Sequence, residues 1–301
     1  ANGIPTLKSE RLFELLAHPD QRVRQRAQFA LAEQDLDSLP LFEKAIQPNQ
    51  PLMRRIHGIW GIGQLGQKNP SALNSLAGLF GDKEMEVRAN LARTLGNHGK
   101  HLAPFRKALI AMLEDSSPRV VSLAAIALSN HGHKDAIEPA IKMLENNDDN
   151  DVVVRHAGIM VLTKCSEFTP DWKHYDHRST AVRRAIVIAL RRHKSHLLET
   201  YFADRDQSVR QEAIRAAYEM DVRKTYRKLS NQAHSIASRV SPDIKWHPLT
   251  ARRAIFAAWV LGQEKDAEVI AKIAADPKID FRTRKDAVSY THLRAHETLL
   301  D

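Results

Sequence analysis

Short segments with apolar residues at helical spacing run along most of the chain, and polar turns separate them. The spacing i, i+4, i+7 and i+8 occurs at Val23, Ala27, Ala30 and Leu31, and again at Val182, Ile186, Ala189 and Leu190. Residues at these separations lie on one face of an α-helix, because the helix repeats about every 3.6 residues. Period-2 alternation is never sustained, and no Asn-Gly pair joins two β-branched runs. The pattern therefore predicts an all-α protein.

The helical segments recur in pairs. Each pair consists of an apolar helix, a short turn that often carries Asp, and a second helix that begins near a Val-Arg pair. The steps between equivalent positions are 31, 33, 33, 34, 28, 27, 42 and 32 residues, which is typical of stacked helical-pair repeats. One pair cannot bury its apolar face alone, whereas a stack can. We therefore predict an α-solenoid of antiparallel helix pairs over residues 1–288, with about eight to nine repeats.

Two segments interrupt this period. Residues 229–250 lengthen one step to 42 residues, which predicts an irregular insertion. Residues 289–301 turn abruptly polar where another small-residue helix is due, and they resemble the translated adapter sequence that recurs at the ends of metagenomic assemblies. We expect this tail to be non-native. The chain begins at Ala1 without a charged and apolar leader, so we expect a piece of a longer protein.

The repeating unit Asp…Val-Arg-x-x-Ala resembles the HEAT repeat over residues of about 7 to 288. The resemblance implies a right-handed superhelix, in which the turn Asp and the Arg of successive repeats form a structural ladder within and between repeats. On this sequence the ladder positions are Asp20, Arg24, Arg55, Asp82, Arg88, Asp151, Arg155, Arg183, Asp206, Arg210, Asp280 and Arg284. Val121 occupies one Arg position, and residues 180–182 lack a clear preceding Asp. We therefore expect the ladder to be interrupted at both places.

Several stretches show a narrower resemblance, to the HEAT region of large planctomycete-type haem-binding proteins. They are residues 4–7, 18–24 with 27–32, 58–66, 155–158, and 181–185 with 189–192. Those proteins carry a propeller-like sugar-dehydrogenase domain before the repeats and a cytochrome c domain after them. The resemblance implies a connector in a secreted, periplasmic or extracytoplasmic redox protein, with haem c held elsewhere in the parent. Because Cys165 is the single cysteine, this segment has no Cys-x-x-Cys-His haem attachment, and we expect no cofactor in it.

The formal net charge of +9 is concentrated in one third of the chain. Residues 171–260 hold 18 Lys and Arg against 9 Asp and Glu, while the other residues hold 27 of each. Such a field attracts acidic partners. The candidate partner-binding residues are Arg183, Arg184, Arg191, Arg192, Lys194, Arg223, Lys224, Arg227 and Lys228. Three interpretations remain open: a solvated face whose long stems cover apolar surface, a dock for an acidic protein or neighbouring domain, and a nucleic-acid surface.

The sequence contains no recognisable catalytic or metal-binding motif. The histidine pairs lack further ligands at zinc spacing, and Gly61-x-Gly63-x-x-Gly66 lies inside a helix, where close helix packing explains it better than a dinucleotide loop. No stretch approaches the roughly 18 apolar residues of a membrane span. We therefore predict a non-catalytic scaffold that binds proteins. The alternative is a DNA-repair protein resembling the HEAT-like alkylpurine glycosylases, for which Asp171-Trp172 and Asp243…Trp246 are the only carboxylate and aromatic pairs on offer.

Overall fold

The computed structural model describes residues 7–238 and 247–297, and within them the regular elements are helices with no strand. The prediction of an all-α fold is confirmed. The α-helices are α1 Ser9–Leu15, α2 Gln21–Ala32, α3 Leu39–Ala45, α4 Leu52–Lys68, α5 Met85–Gly96, α6 Arg106–Ala111, α7 Pro118–His131, α8 Ile137–Asn147, α9 Val152–Cys165, α10 Thr180–Arg192, α11 Gln207–Glu219, α12 Tyr226–Ser238, α13 Pro248–Leu261, α14 Glu264–Ala275 and α15 Phe281–Glu297. Longer 3₁₀-helices span Pro70–Leu79 and His196–Tyr201.

The chain divides into two compact units, residues 1–167 and residues 168–301. In the first unit α1 packs on α2, α3 on α4, the 3₁₀-helix Pro70–Leu79 on α4 and α5, α6 on α7, and α8 on α9. The second helices of these pairs also pack on one another in the order α2, α4, α5, α7 and α9. Each apolar face is thus covered by the neighbouring pairs, as expected for stacked repeats.

In the second unit α10 packs on α11, α12 on α13 and α14 on α15, while α13 also contacts α11 and α15. Helix α12 extends to Ser238, so the predicted insertion at 229–250 begins as regular helix, and residues 239–246 lie outside the described residues. The predicted tail at 289–301 begins inside α15. The domain boundaries drawn from the sequence stay predictions.

Side chains at the start of several second helices explain why these helices begin where they do. Asp20, Asp151, Ser179 and Asp206 each accept a hydrogen bond from a main-chain N–H in the first turn of α2, α9, α10 and α11. These N–H groups have no partner within the helix, so a capping oxygen stabilises the helix end by about 1 kcal/mol.

The glycines of α4 let this helix approach its neighbours on two sides. A Cβ at Gly58 would lie 2.9 Å from Ala45 Cβ, and one at Gly61 would overlap the Phe42 ring, both on α3. On the other side, a Cβ at Gly63 would lie 2.5 Å from Thr94 Cγ2 on α5. The prediction that close packing accounts for these glycines is confirmed.

The surroundings of two glycines predict different effects when each is replaced by Ala, one in α4 and one in the 3₁₀-helix Pro70–Leu79. Gly61→Ala drives a methyl group into the buried Phe42 ring, and overpacking of this kind costs about 1–3 kcal/mol, more than the gain in helix propensity of about 0.5–1 kcal/mol. We expect a lower free energy of unfolding in urea. Gly78 has open space around its Cα, so Gly78→Ala should leave stability unchanged within about 0.5 kcal/mol or raise it. Equal stability of the two variants would contradict this packing argument.

Candidate functional site

The aspartates predicted to form one ladder occupy two positions relative to the repeat arginine. An Asp six residues before the Arg position bonds the Arg of the preceding repeat. Arg55 pairs with Asp82 in this way, and Arg88 Nε donates to Asp115 Oδ2 at 2.7 Å. In the second unit Arg183 Nε donates to Asp204 Oδ2 at 2.8 Å. We call each of these Arg–Asp pairs between successive repeats a rung of the ladder. The carboxylates of the three rungs come from Asp82, Asp115 and Asp204.

The Asp four residues before the Arg caps its own helix instead. Asp20, Asp151 and Asp206 are the N-caps of α2, α9 and α11, and Asp280 Oδ1 accepts from Thr283 N at 3.0 Å. The sequence prediction merged the two positions, because both carry Asp within a few residues of the same Arg. In the second unit Asp204, and not Asp206, therefore completes the rung.

Several ladder arginines bond the turn of their own repeat. Arg24 Nη1 donates to His18 O at 2.7 Å, Arg210 Nη1 donates to Asp204 O at 2.5 Å, and Arg155 lies 3.5 Å from Asp149. Arg284 Nε has no hydrogen-bond partner within the described residues. Val121 stands at the Arg position of α7 and supplies no guanidinium.

The candidate partner-binding residues do not form one uncompensated basic surface. Most of their charges face carboxylates. The ion pairs are Arg183–Asp204, Arg191–Glu219, Arg223–Asp221, Arg227–Asp266 and Lys228–Glu199. Arg184 is half-buried and has an interaction of its own, whereas Arg192, Lys194 and Lys224 are exposed. Arg183 requires a correction, because its side chain is 2% exposed and cannot reach a partner.

A different surface, in the first unit, has the shape of a binding site. A groove of about 680 Å³ lies over α2, α4 and α5. Its lining is dominated by amide side chains together with aromatic and imidazole rings. The lining residues are Gln21, Gln25, Gln28, Phe29, His57, Trp60, Gly63, Gln64, Gln67, Arg93, Thr94, Asn97 and His98. We call this surface the amide groove.

A hydrogen-bond chain forms the floor of the amide groove. Arg24 Nε donates to His57 Nε2 at 3.2 Å, and His57 Nδ1 lies 2.7 Å from Gln28 Oε1. Since Nε2 accepts this hydrogen bond, Nδ1 carries the ring hydrogen and donates to Gln28. Gln28 Nε2 in turn donates to Gln64 Oε1 at 2.8 Å. The chain fixes the amide of Gln28 and joins α2 to α4.

His57 is uncharged at neutral pH. Burial, together with the nearby positive charge of Arg24, lowers the pKa of the imidazole to about 4. Burial also lowers the pKa of His98, whose ring lies beside α4 where Gly63 and Gly66 leave room for it. Among the lining residues of the amide groove, Arg93 is therefore the one that carries a full charge.

Two aromatic side chains stand at the groove surface. Trp60 is half-buried, packs edge-on against His57 at 4.9 Å between ring centroids, and donates its indole N–H to Asn90 Oδ1 at 3.1 Å. Phe29 is 43% exposed. This site was not predicted from the sequence, because glutamine carries no charge or catalytic chemistry. The signal was present in the spacing of Gln21, Gln25 and Gln28, which places them on one face of α2.

The amide groove contains no converging catalytic groups, because no carboxylate or thiol is among its lining residues. Across the described part of the chain, no three His, Cys, Asp or Glu side chains are placed to hold a metal ion. None of the helices described there combines the length and hydropathy required to cross a membrane. The arrangement is suited to hydrogen bonding and aromatic contact with a ligand.

Of the residues named for the glycosylase alternative, the structure describes Asp171 and Trp172. Asp171 is exposed, and hydrogen bonds to Thr169 and to main-chain N–H lower the pKa of its carboxyl. Trp172 packs edge-on against Phe168 and Tyr175. Asp243 and Trp246 lie outside the described residues.

Comparison with known proteins identifies the repeats. Residues 76–163 match the family of HEAT repeats. No curated protein matched the chain. Among solved structures, a Kap121p mutant is 13% identical, with 93% of this chain and 37% of that chain covered and a TM-score of 0.55. Escherichia coli YibA is 17% identical, covering 96% of this chain and 94% of its own, with a TM-score of 0.46. Human deoxyhypusine hydroxylase in complex with glycerol is 16% identical, covering 89% and 98%, with a TM-score of 0.34.

The chain is therefore an all-α protein built of stacked helix pairs, with HEAT repeats recognised by sequence at residues 76–163. The likeness to Kap121p extends this conclusion to the fold of most of the chain and to nothing beyond the fold.

The buried rung of the second unit predicts that Arg183 is needed for folding. Arg183→Gln leaves Asp204 buried without its cation, and breaking a buried pair in this way costs about 3–5 kcal/mol. Exposed Arg192 forms no ion pair within the described residues, so Arg192→Gln should change stability by less than about 0.5 kcal/mol. Urea denaturation of both variants measures the difference. Equal midpoints would show that the rung contributes nothing.

The low pKa of His57 predicts a pH-dependent stability. As the pH falls below about 6.5, the unfolded chain binds a proton at this residue while the folded chain does not. The contribution of His57 to the free energy of unfolding is therefore fully present above that pH and is lost on acidification. Between about pH 7 and pH 5 the loss from His57 is about 2 kcal/mol. In His57→Gln the free energy of unfolding should fall less steeply over that range, although His98 still contributes in the same direction. Parallel pH profiles for the two proteins would refute the assignment.

Proposed function

We propose that this chain is a non-catalytic HEAT-repeat module that binds an extended polypeptide segment in the amide groove. The observation that carries the proposal is the set of amide side chains that α2, α4 and the residue after α5 present to one groove, with Trp60 and Phe29 among them. A side-chain amide both donates and accepts hydrogen bonds. It therefore matches the alternating N–H and C=O groups of an extended main chain.

The size of the groove suits a short extended segment. Packed helices lie about 8–10 Å apart, so three neighbouring helices span about 20 Å. An extended chain advances about 3.3 Å per residue, and about six residues would cross the groove. The half-buried indole of Trp60 and the exposed ring of Phe29 supply apolar contact for side chains of that segment.

Within a larger protein, we propose that the module connects and positions neighbouring domains. The resemblance of the five stretches to the HEAT region of haem-binding proteins supports a place between a sugar-dehydrogenase-like propeller and a cytochrome c domain. The bound segment would then belong to one of those domains or to their partner. The parent reading frame tests this role. A Cys-x-x-Cys-His motif downstream is expected, and its absence would remove the connector role while leaving peptide binding untouched.

Selection from a library of random dodecapeptides displayed on phage tests peptide binding by the full chain. Selected peptides should bind the triple variant Gln25→Ala/Phe29→Ala/Gln67→Ala at least about ten-fold more weakly, because these exposed side chains supply groove contacts. Gln47→Ala is the matched control, since Gln47 is exposed in the same unit but outside the groove. Fluorescence anisotropy gives the affinities, and circular dichroism checks that each variant is folded.

Two outcomes would overturn the proposal. One is a failure to enrich any peptide over an uncoated surface, and the other is equal binding by wild type and the triple variant. A labelled twelve-nucleotide single strand, assayed at low salt, tests the nucleic-acid alternative in parallel. Retention of that strand with a steep loss of affinity as salt rises would favour it.

A further inference from the structure

Arg93 lies where two cavities of the first unit meet. It lines the amide groove, and it also lines a second cavity of about 560 Å³ over α5, α7 and α9. The second cavity is lined by Arg93, Ser117, Pro118, Arg119, Ser122, Leu123, Asp151 and Val153. A segment that follows both cavities therefore passes over the Arg93 guanidinium. We call the two cavities together the trough.

The described side chains of the trough leave Arg93 without an ion pair, and the carboxylate of the lining residue Asp151 caps α9. The amide groove contributes no carboxylate, and burial lowers the pKa of both of its histidines. In the second cavity Arg119 forms an ion pair with Glu86 at 3.3 Å. Asp151 Oδ1 accepts the main-chain N–H groups of Val153 and Val154. No ion pair joins Arg93 to another described residue, and its side chain is exposed.

We propose that Arg93 is a specificity-determining residue, which selects extended peptides carrying an acidic side chain at the centre of the bound segment. This proposal rests on the proposed function. A guanidinium binds a carboxylate through two parallel hydrogen bonds, which fixes the position of the acid as well as its charge. A phosphorylated side chain would bring nearly two negative charges to Arg93 alone, because Arg119 is already paired with Glu86, so a carboxylate is the better match.

The order of the helices places the acidic residue within the segment. The trough crosses α2, α4, α5, α7 and α9, and Arg93 is on the middle one. Five helices at about 8–10 Å span about 30–40 Å, which an extended peptide crosses in about ten to twelve residues. The part over α2 and α4 faces amides and aromatic rings, and the part over α9 faces the exposed side chain of Val153. We therefore expect an acid near the middle, with uncharged residues over the amide groove.

The dodecapeptides selected on the full chain test this specificity. The expected consensus has Asp or Glu near its centre, and replacing that residue by Asn or Gln in the peptide should weaken binding to the wild type roughly ten-fold or more. Arg93→Gln should bind the acidic and the amide peptides equally, so the two changes are not additive. Arg11→Gln is the matched control, because it removes an exposed arginine of the same unit that lines neither cavity, and it should keep the full preference.

The results separate this proposal from the one on which it rests. If peptides bind in the amide groove but Arg93→Gln keeps the preference for the acid, or if no central acid is selected, Arg93 is not the specificity residue and peptide binding stands. If no peptide is enriched, both proposals fail. A synthetic version of a selected peptide with phosphoserine in place of the central acid tests the choice of carboxylate. Tighter binding of that phosphopeptide, lost in Arg93→Gln, would overturn the choice.

Discussion

The structure depends on one constraint, which is that each helix pair has an apolar face that only the next pair can cover. Small residues make this contact possible. A Cβ at Gly96 of α5 would lie only 3.2 Å from the Cβ of Ala127 of α7, so these two backbones approach closely. The burial is local, between successive pairs, and it leaves the outward side chains of α2, α4 and α5 free to vary. The amide groove is built from such side chains.

Ion pairs between arginine and aspartate add to the apolar contacts between successive repeats. The arginine of one repeat reaches the carboxylate of the next turn, as Arg88 does with Asp115, and also bonds the main chain of its own turn through Asp82 O. One side chain thus satisfies turn carbonyls and fixes the spacing of two repeats. Where Val121 replaces the arginine, contact between α7 and α9 continues without a rung. Apolar packing is therefore sufficient at that step.

The features of the fold that depend on periodicity could be predicted from the sequence. The helix pairs, the close packing of Gly58 and Gly61, and the all-α fold follow from apolar spacing and small residues, which act locally. The sequence could not separate the capping Asp206 from the bonding Asp204, because the two differ by two residues and only the turn geometry distinguishes them. The extent of the basic surface was overestimated from the sequence, because a count of basic residues does not show which of them are already paired with carboxylates. The amide groove could not be predicted, because its lining comes from three helices that only the fold brings together.

The floor of the amide groove has a consequence for the conditions under which such a module can work. Because His57 is held by Arg24 and Gln28 and has a pKa of about 4, its ring carries no charge in neutral or mildly acidic surroundings. The electrostatic potential that a ligand meets above this residue is therefore nearly constant over that range. Acidity in that range would therefore act on a complex formed there through the stability of the fold, and not through a new charge beneath the ligand.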